Sequence, residues 1–196
     1  MSNGVDKKRR HFLTVATSVV GGIGVAAAAV PFFASMKPSA KARLAGAPVE
    51  VDVSRMDVGE RITISWRGRP VHVVRRSEEA VATLAEIRDQ LRDPDSNNSD
   101  QPDYAVNEHR SLNPDYLVMV AVCTHLGCAP QFRPTPGDEA LGSDWPGGYF
   151  CACHGSRFDL AGRVYRNVPA PANMEIPPHR FADDNTLIVG EDAEVA

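Results

Sequence analysis

The chain has 196 residues, 43% of them hydrophobic, and a formal net charge of −4 at pH 7. That length suits one packed domain of ordinary size plus a tail or anchor. The first ten residues hold Lys7, Lys8, Arg9 and Arg10 against Asp6. The remainder is therefore markedly acidic, which argues against nucleic acid as a partner.

After the basic leader (1–11), the run from Phe12 to Ala34 carries no charge. A membrane-spanning helix needs roughly 20 apolar residues, so 12–34 reads as a single-pass anchor. Thr14, Thr17 and Ser18 are tolerable there because a hydroxyl can bond back to its own helix, and the glycines at 21, 22 and 24 permit close helix packing. The basic end should stay in the cytoplasm and the following chain outside. A cleaved signal peptide is the competing reading, since "AAAA" at 26–29 offers cleavage sites. Its apolar core would span about 7–15 residues, shorter than this one. "RRHFL" resembles a twin-arginine export signal, a route for proteins already folded around a cofactor. Residues 35–48, with small side chains and two prolines, read as a flexible tether to a domain over 49–196.

In that domain "VEVDV" (49–53) and "RITISW" (61–66) alternate like half-buried strands. "RGRP" is a tight turn into "VHVVRR" (71–76). Ser77 is placed to cap a helix in which Val81, Leu84, Ile87 and Leu91 share one face. "DPDSNNSDQPD" (93–103) reads as a mobile polar loop without a chemical role. "YLVMVAVC" (116–123) is a continuous apolar strand into the first cysteine, and "GGYFC" (147–151) a short strand into a second pair. "RFADDNTLIVG" (180–190) predicts a terminal hairpin. His11, His72, His109 and His179 read as surface or satisfied side chains. The fold class is mostly β, with one helix inserted between early strands.

The chemistry lies in "CTHLGC" (123–128) and "CACHGS" (151–156). A structural zinc site would take four N/S ligands in a tetrahedron. Zinc loops, however, space their ligand pairs by two or more residues, and here two further cysteines remain. A cysteine nucleophile does not account for two matched Cys/His loops. A [2Fe–2S] cluster does. Cys123 and Cys151 bind one iron and His125 and His154 the other, one cluster per chain. Neutral imidazoles lower the negative charge at the site and raise its potential above that of four-cysteine clusters. Cys128 and Cys153 are then free to pair as a disulfide, which persists in an oxidising compartment.

The pair of loops resembles those of the Rieske iron–sulfur proteins of quinol–cytochrome c oxidoreductase, respiratory complex III. The resemblance takes in the anchor, tether, helix insertion, both loops and "VPAPANMEIP" (168–177). It implies a Rieske-type antiparallel β-sandwich with a small cluster-binding subdomain. It also implies a dimeric complex in a bacterial inner membrane, with cytochrome b and a c-type cytochrome as partners. The implied activity is one-electron oxidation of quinol at the outer, periplasmic face, contributing to proton translocation. His154 is the expected quinol contact, with His125 beside it; the ring nitrogen not bound to iron accepts the quinol proton. Because reduction and protonation are tied together, the potential is expected to fall with pH above neutrality. The alternative is the Rieske relay subunit of a periplasmic oxidase such as arsenite oxidase. Dioxygenase Rieske domains share the ligand spacings but typically lack the two extra cysteines.

Ser156 matches the family serine that bonds a bridging sulfide. At Phe158 the family usually has a tyrosine whose hydroxyl bonds a ligand cysteine, so a lower potential is expected here. "VPAP" (168–171) resembles the proline-rich cover of the cluster, where the family usually begins with glycine and this chain has Val168. Leu126 is expected to be an exposed docking contact, and Trp145 and Tyr149 to pack the loop between the two motifs.

Overall fold

The computed structural model describes residues 6–40, 42 and 46–193. The chain divides into two units, Met1–Leu44 and Ala45–Ala196. The start of the leader (1–5) and tether residues 41 and 43–45 lie outside the described residues.

The first unit is one helix, α1, Lys7–Ser35. It begins five residues before the uncharged run, because the Asp6 carboxylate accepts the backbone N–H groups of Lys8 and Arg9 and so caps it. At 1.5 Å per residue its 29 residues span about 44 Å, longer than the roughly 30 Å hydrocarbon core of a bilayer. The Thr14 and Thr17 hydroxyls donate to the carbonyls of Arg10 and Leu13, four residues back, so neither polar group is left unpaired. By length and composition α1 is able to cross a membrane.

Among its described residues the second unit holds three antiparallel three-stranded sheets. The strands are β1 (Val49–Asp52), β2 (Arg61–Trp66), β3 (Arg69–Arg75), β4 (Tyr116–Val120), β5 (Gln131–Arg133), β6 (Gly148–Cys151), β7 (Ser156–Phe158), β8 (His179–Asp183) and β9 (Thr186–Val189). Their orders are β1–β9–β8, β2–β3–β4 and β5–β6–β7. The predicted terminal hairpin is β8–β9, and β1 joins its far edge from the other end of the domain.

Strands β3 and β4 are buried on both faces, which is why they read as apolar runs, whereas β2 alternates between exposed and partly buried residues as its sequence predicts. Val71, Val73, Val118 and Val120 point to one side and pack with Val51, Leu187 and Val189 of the terminal sheet. Val74, Leu117 and Met119 point to the other and pack with Cys123, Tyr149, Cys151 and Phe158. His72 belongs to this second face: its ring stacks on Tyr149 at 5.9 Å between centroids. Each fully buried aliphatic side chain here contributes about 1.5–3 kcal/mol.

Helix α2 spans Glu78–Glu86 and is shorter than the periodicity predicts. Ser77 caps it, accepting from the Ala80 N–H. Beyond Ile87 a 3-10 turn (Arg88–Gln90) tightens the chain. Leu91 then pairs as an isolated strand residue with Tyr165, so it is buried by a ladder contact and not by a helix face. The loop expected to be mobile after it is anchored. Asp93, 8% exposed, accepts the N–H groups of Asn97 and Asn98 and the Ser99 hydroxyl.

Two of the scattered histidines, His72 and His109, depart from the expectation of surface or satisfied side chains. His72 and His179 are buried. His179 is satisfied by the Pro177 carbonyl, whereas the Nδ1 atoms of His72 and His109 are buried without a partner. Sequence reasoning also missed three arginines at 4% exposure or less, Arg76, Arg110 and Arg163. Arg163 pairs with the fully buried Asp159 at 2.7 Å. Arg76 and Arg110 donate to main-chain carbonyls instead, among them those of Pro114, His109 and Ala161. Burial pushes both down to about 10, so both remain charged at neutral pH.

Candidate metal centre

Both Cys/His loops leave strand-like segments and turn back in the same way. The Cys123 carbonyl accepts the Gly127 N–H at 3.0 Å, and the Cys151 carbonyl accepts the Gly155 N–H at 2.9 Å. Gly127 and Gly155 have φ of 84° and 77°, a conformation that glycine adopts without strain. The matched turns set each cysteine inward and carry each histidine toward the tip.

The structure brings the seven predicted site residues together. Cys123 and Cys151 are free thiols, each 2% exposed, and they pack in one buried cluster. Burial pushes the Cys123 thiol up. The His125 backbone N–H and the Ser156 hydroxyl oppose that shift and are the groups placed to stabilise a thiolate. His125 and His154 stand edge to face with centroids 4.7 Å apart, His125 half-buried and His154 exposed. The Nδ1 atom of His125 is buried with no hydrogen-bond partner, as a nitrogen reserved for a metal would be. Cys128 and Cys153 form a disulfide. The sulfurs of Cys128, Cys151 and Cys153 lie within 4.8 Å of one another, but the bonded pair has no thiolate to offer, so that trio is not a ligand set.

A third segment closes over both loops. The Thr124 hydroxyl donates to the Ala172 carbonyl at 2.6 Å, and the Ala170 N–H donates to Ser156 Oγ at 3.1 Å. Ser156 Oγ therefore accepts from the 168–171 run, which leaves its own proton free to donate elsewhere. Phe158 is fully buried in the same packed cluster as Cys123 and Cys151. Leu126, beside His125, is 72% exposed, the exposure that the sequence predicts for it.

Residues 48–178 match the model of the Rieske [2Fe-2S] domain, and residues 1–39 that of the "Ubiquitinol-cytochrome C reductase Fe-S subunit TAT signal". The ubiquinol-cytochrome c reductase iron-sulfur subunit of Allochromatium vinosum is 54% identical over 191 residues, 97% of this chain and 92% of that one. The chain belongs to the Rieske iron–sulfur subunits of ubiquinol–cytochrome c reductase.

The ubiquinol-cytochrome c reductase iron-sulfur subunit of Rhodospirillum rubrum is 44% identical over 188 residues, 95% of this chain and 94% of that one. Among solved structures, a chain of "Hyperthermophilic respiratory Complex III" is similar at 23% identity and a TM-score of 0.48. It covers 89% of this chain and 98% of its own, a likeness too loose to carry an argument. The cofactor of a Rieske subunit is a [2Fe–2S] cluster, and the donor set fits one: two buried thiols, two adjacent imidazoles and an orphaned His125 nitrogen. The relatives are named as reductase subunits, the first of the two assignments the motifs left open.

Sequence reasoning missed Thr124, Arg92 and Asn173 at this site. Thr124 was within reach, as a hydroxyl between two predicted ligand positions. Arg92 and Asn173 carry no local signal, because their partners lie up to 80 residues away.

Proposed function

We propose that the domain accepts one electron from a quinol and delivers it to a c-type cytochrome, held by α1 at the outer face of a bacterial inner membrane beside a cytochrome b in a dimeric complex. Cys123 and Cys151 ligate one iron, and His125 and His154 the other. When bound, the cluster supplies a one-electron carrier. The side chains do the rest. The two thiolates are buried and shielded by the disulfide. Ser156 and the His125 N–H stabilise negative charge at sulfur. His154 stands exposed at the tip, where its Nε2 takes the proton of the quinol hydroxyl. Leu126, exposed beside His125, adds apolar surface for seating the tip on the cytochrome b side.

The observation that carries this reading is the pairing of an exposed His154 with a half-buried His125 over two buried thiols. The test is purification from membranes followed by redox titration. The chain should co-isolate with b- and c-type haem, and its potential should fall as pH rises above neutrality. A potential flat from about pH 6 to 10 would remove the proton role of the histidines, and isolation without haem would remove the partners.

A further inference from the structure

We propose that Arg92, at the end of the helix insertion, is a positioning residue that holds the proline-rich segment over the cluster loops. This rests on the assignment of 123–128 and 151–156 as the cluster loops. The Arg92 guanidinium donates to the Val168 carbonyl through Nη2 and to the Ala170 carbonyl through Nη1, each at 3.0 Å, and so grips both sides of Pro169. The same stretch is stitched to the segment just before that run. The Arg92 N–H donates to the Val164 carbonyl, the Arg166 N–H to the Gln90 carbonyl, and Arg166 Nε to the Leu91 carbonyl. From the far end, the Asn173 amide donates to the Asp93 carbonyl and Ser96 Oγ while its oxygen accepts the Val164 N–H. The insertion from 90 to 96 is thus a splint along the whole 164–173 segment.

The splint has a direct line to the cluster loops. Gripped by Arg92, Ala170 presents its N–H to Ser156 Oγ in the second loop, and Ala172 accepts from Thr124 in the first. Pro169 and Pro171 have no N–H, so the run has few bonds of its own with which to hold its place. A rigid proline pair still needs an outside anchor to fix where it sits, and two carbonyl acceptors facing one planar, two-pronged donor supply it. Releasing the grip lets the cover lift, loosens Ser156 and admits water to the site.

Arg92→Met keeps the stem and removes both donors; Arg92→Lys leaves a single point charge that reaches one carbonyl at a time. In the full-length holoprotein, Arg92→Met should raise hydrogen exchange over residues 165–174 about tenfold, equivalent to about 1.4 kcal/mol of local stability. It should also hasten bleaching of the cluster by a soluble iron chelator and shift the electron paramagnetic resonance g-values. Arg92→Lys should fall between Arg92→Met and the native protein in all three. Phe181→Ala, in the terminal sheet, serves as a control for lowered global stability and should leave exchange in 165–174 and the g-values unchanged. Unchanged exchange and g-values in Arg92→Met would overturn the proposal, as would equal effects from Phe181→Ala. A native protein without a Rieske resonance signal would instead overturn the cluster-loop reading, with the exchange result still deciding whether Arg92 holds the segment.

Discussion

The two faces of the β2–β3–β4 sheet support cores built by different rules. On the terminal-sheet side the contacts are mostly between aliphatic residues on paired strands, with Val51, Val71, Val73, Val118, Val120, Leu187 and Val189 interdigitating. On the cluster side the strands are three or four residues long and most of the chain is loop. There the order comes from a disulfide, a buried ion pair and side chains bonded to main chain, as at Thr124, Ser156, Arg92 and Asn173. A sheet core tolerates changes that keep volume and pattern. A loop cage built from individual polar contacts does not, since each partner lost leaves another buried and unpaired.

The sharpest way to break that contrast is Asp159→Asn. It leaves Arg163 at 0% exposure without its counter-charge and removes the carboxylate that also accepts the Ala161 and Arg163 N–H groups. The expected loss is about 3–5 kcal/mol in denaturant unfolding; a loss below about 1 kcal/mol would show that the cage is not held by this pair. Replacing Cys128 and Cys153 together by serine opens a link across 25 residues and should destabilise by about 2–4 kcal/mol, with cluster loss preceding unfolding of the strands. If instead circular dichroism and cluster colour disappear together, the two regions are one cooperative unit.

A smaller effect comes from His72, on the cluster-side face. Burial, with Arg61 adding, pushes it down to about 4. The unfolded chain takes up that proton near 6.5, so stability should fall as pH drops from about 6.5 to about 4 and then level off, by about 3 kcal/mol at most and by roughly 2 kcal/mol after solvent screening of the partly solvated ring. His179 is also pushed down by burial and acts in the same sense. His72→Phe should flatten most of the slope of Tm against pH over that window, and an unaltered slope would place the titration elsewhere. The smallest effect on stability is expected from Phe158→Tyr. It adds a hydroxyl within the cluster that packs Cys123 and Cys151. One hydrogen bond of about 1 kcal/mol to a ligand sulfur corresponds to a rise of roughly 40 mV for a one-electron couple. A redox titration showing no rise would mean that the ring is turned away from sulfur.

The sequence by itself determined the chemistry. Cysteine, histidine and glycine at fixed offsets within six residues make a matched pair of loops, and those offsets act through local backbone geometry that no distant contact needs to supply. It also determined that α1 is long and apolar enough to cross a bilayer, because that is a matter of length and apolarity along one helix. The Ser77 cap and the terminal hairpin were legible for the same reason. Only the tertiary structure decided which polar residues are buried. Nothing near Arg110 or Arg163 in the chain distinguishes them from surface arginines; what buries them is carbonyls and a carboxylate gathered from several segments. The same holds for Asp93, read as part of a mobile loop yet capping an ordered one, and for Leu91, whose helix ends early because a strand partner at Tyr165 competes for it. Helix and strand periods report which face of a segment is apolar, but the identity of the group packed against that face belongs to contacts far apart in sequence. The grip of Arg92 on the cover of the cluster is of that second kind.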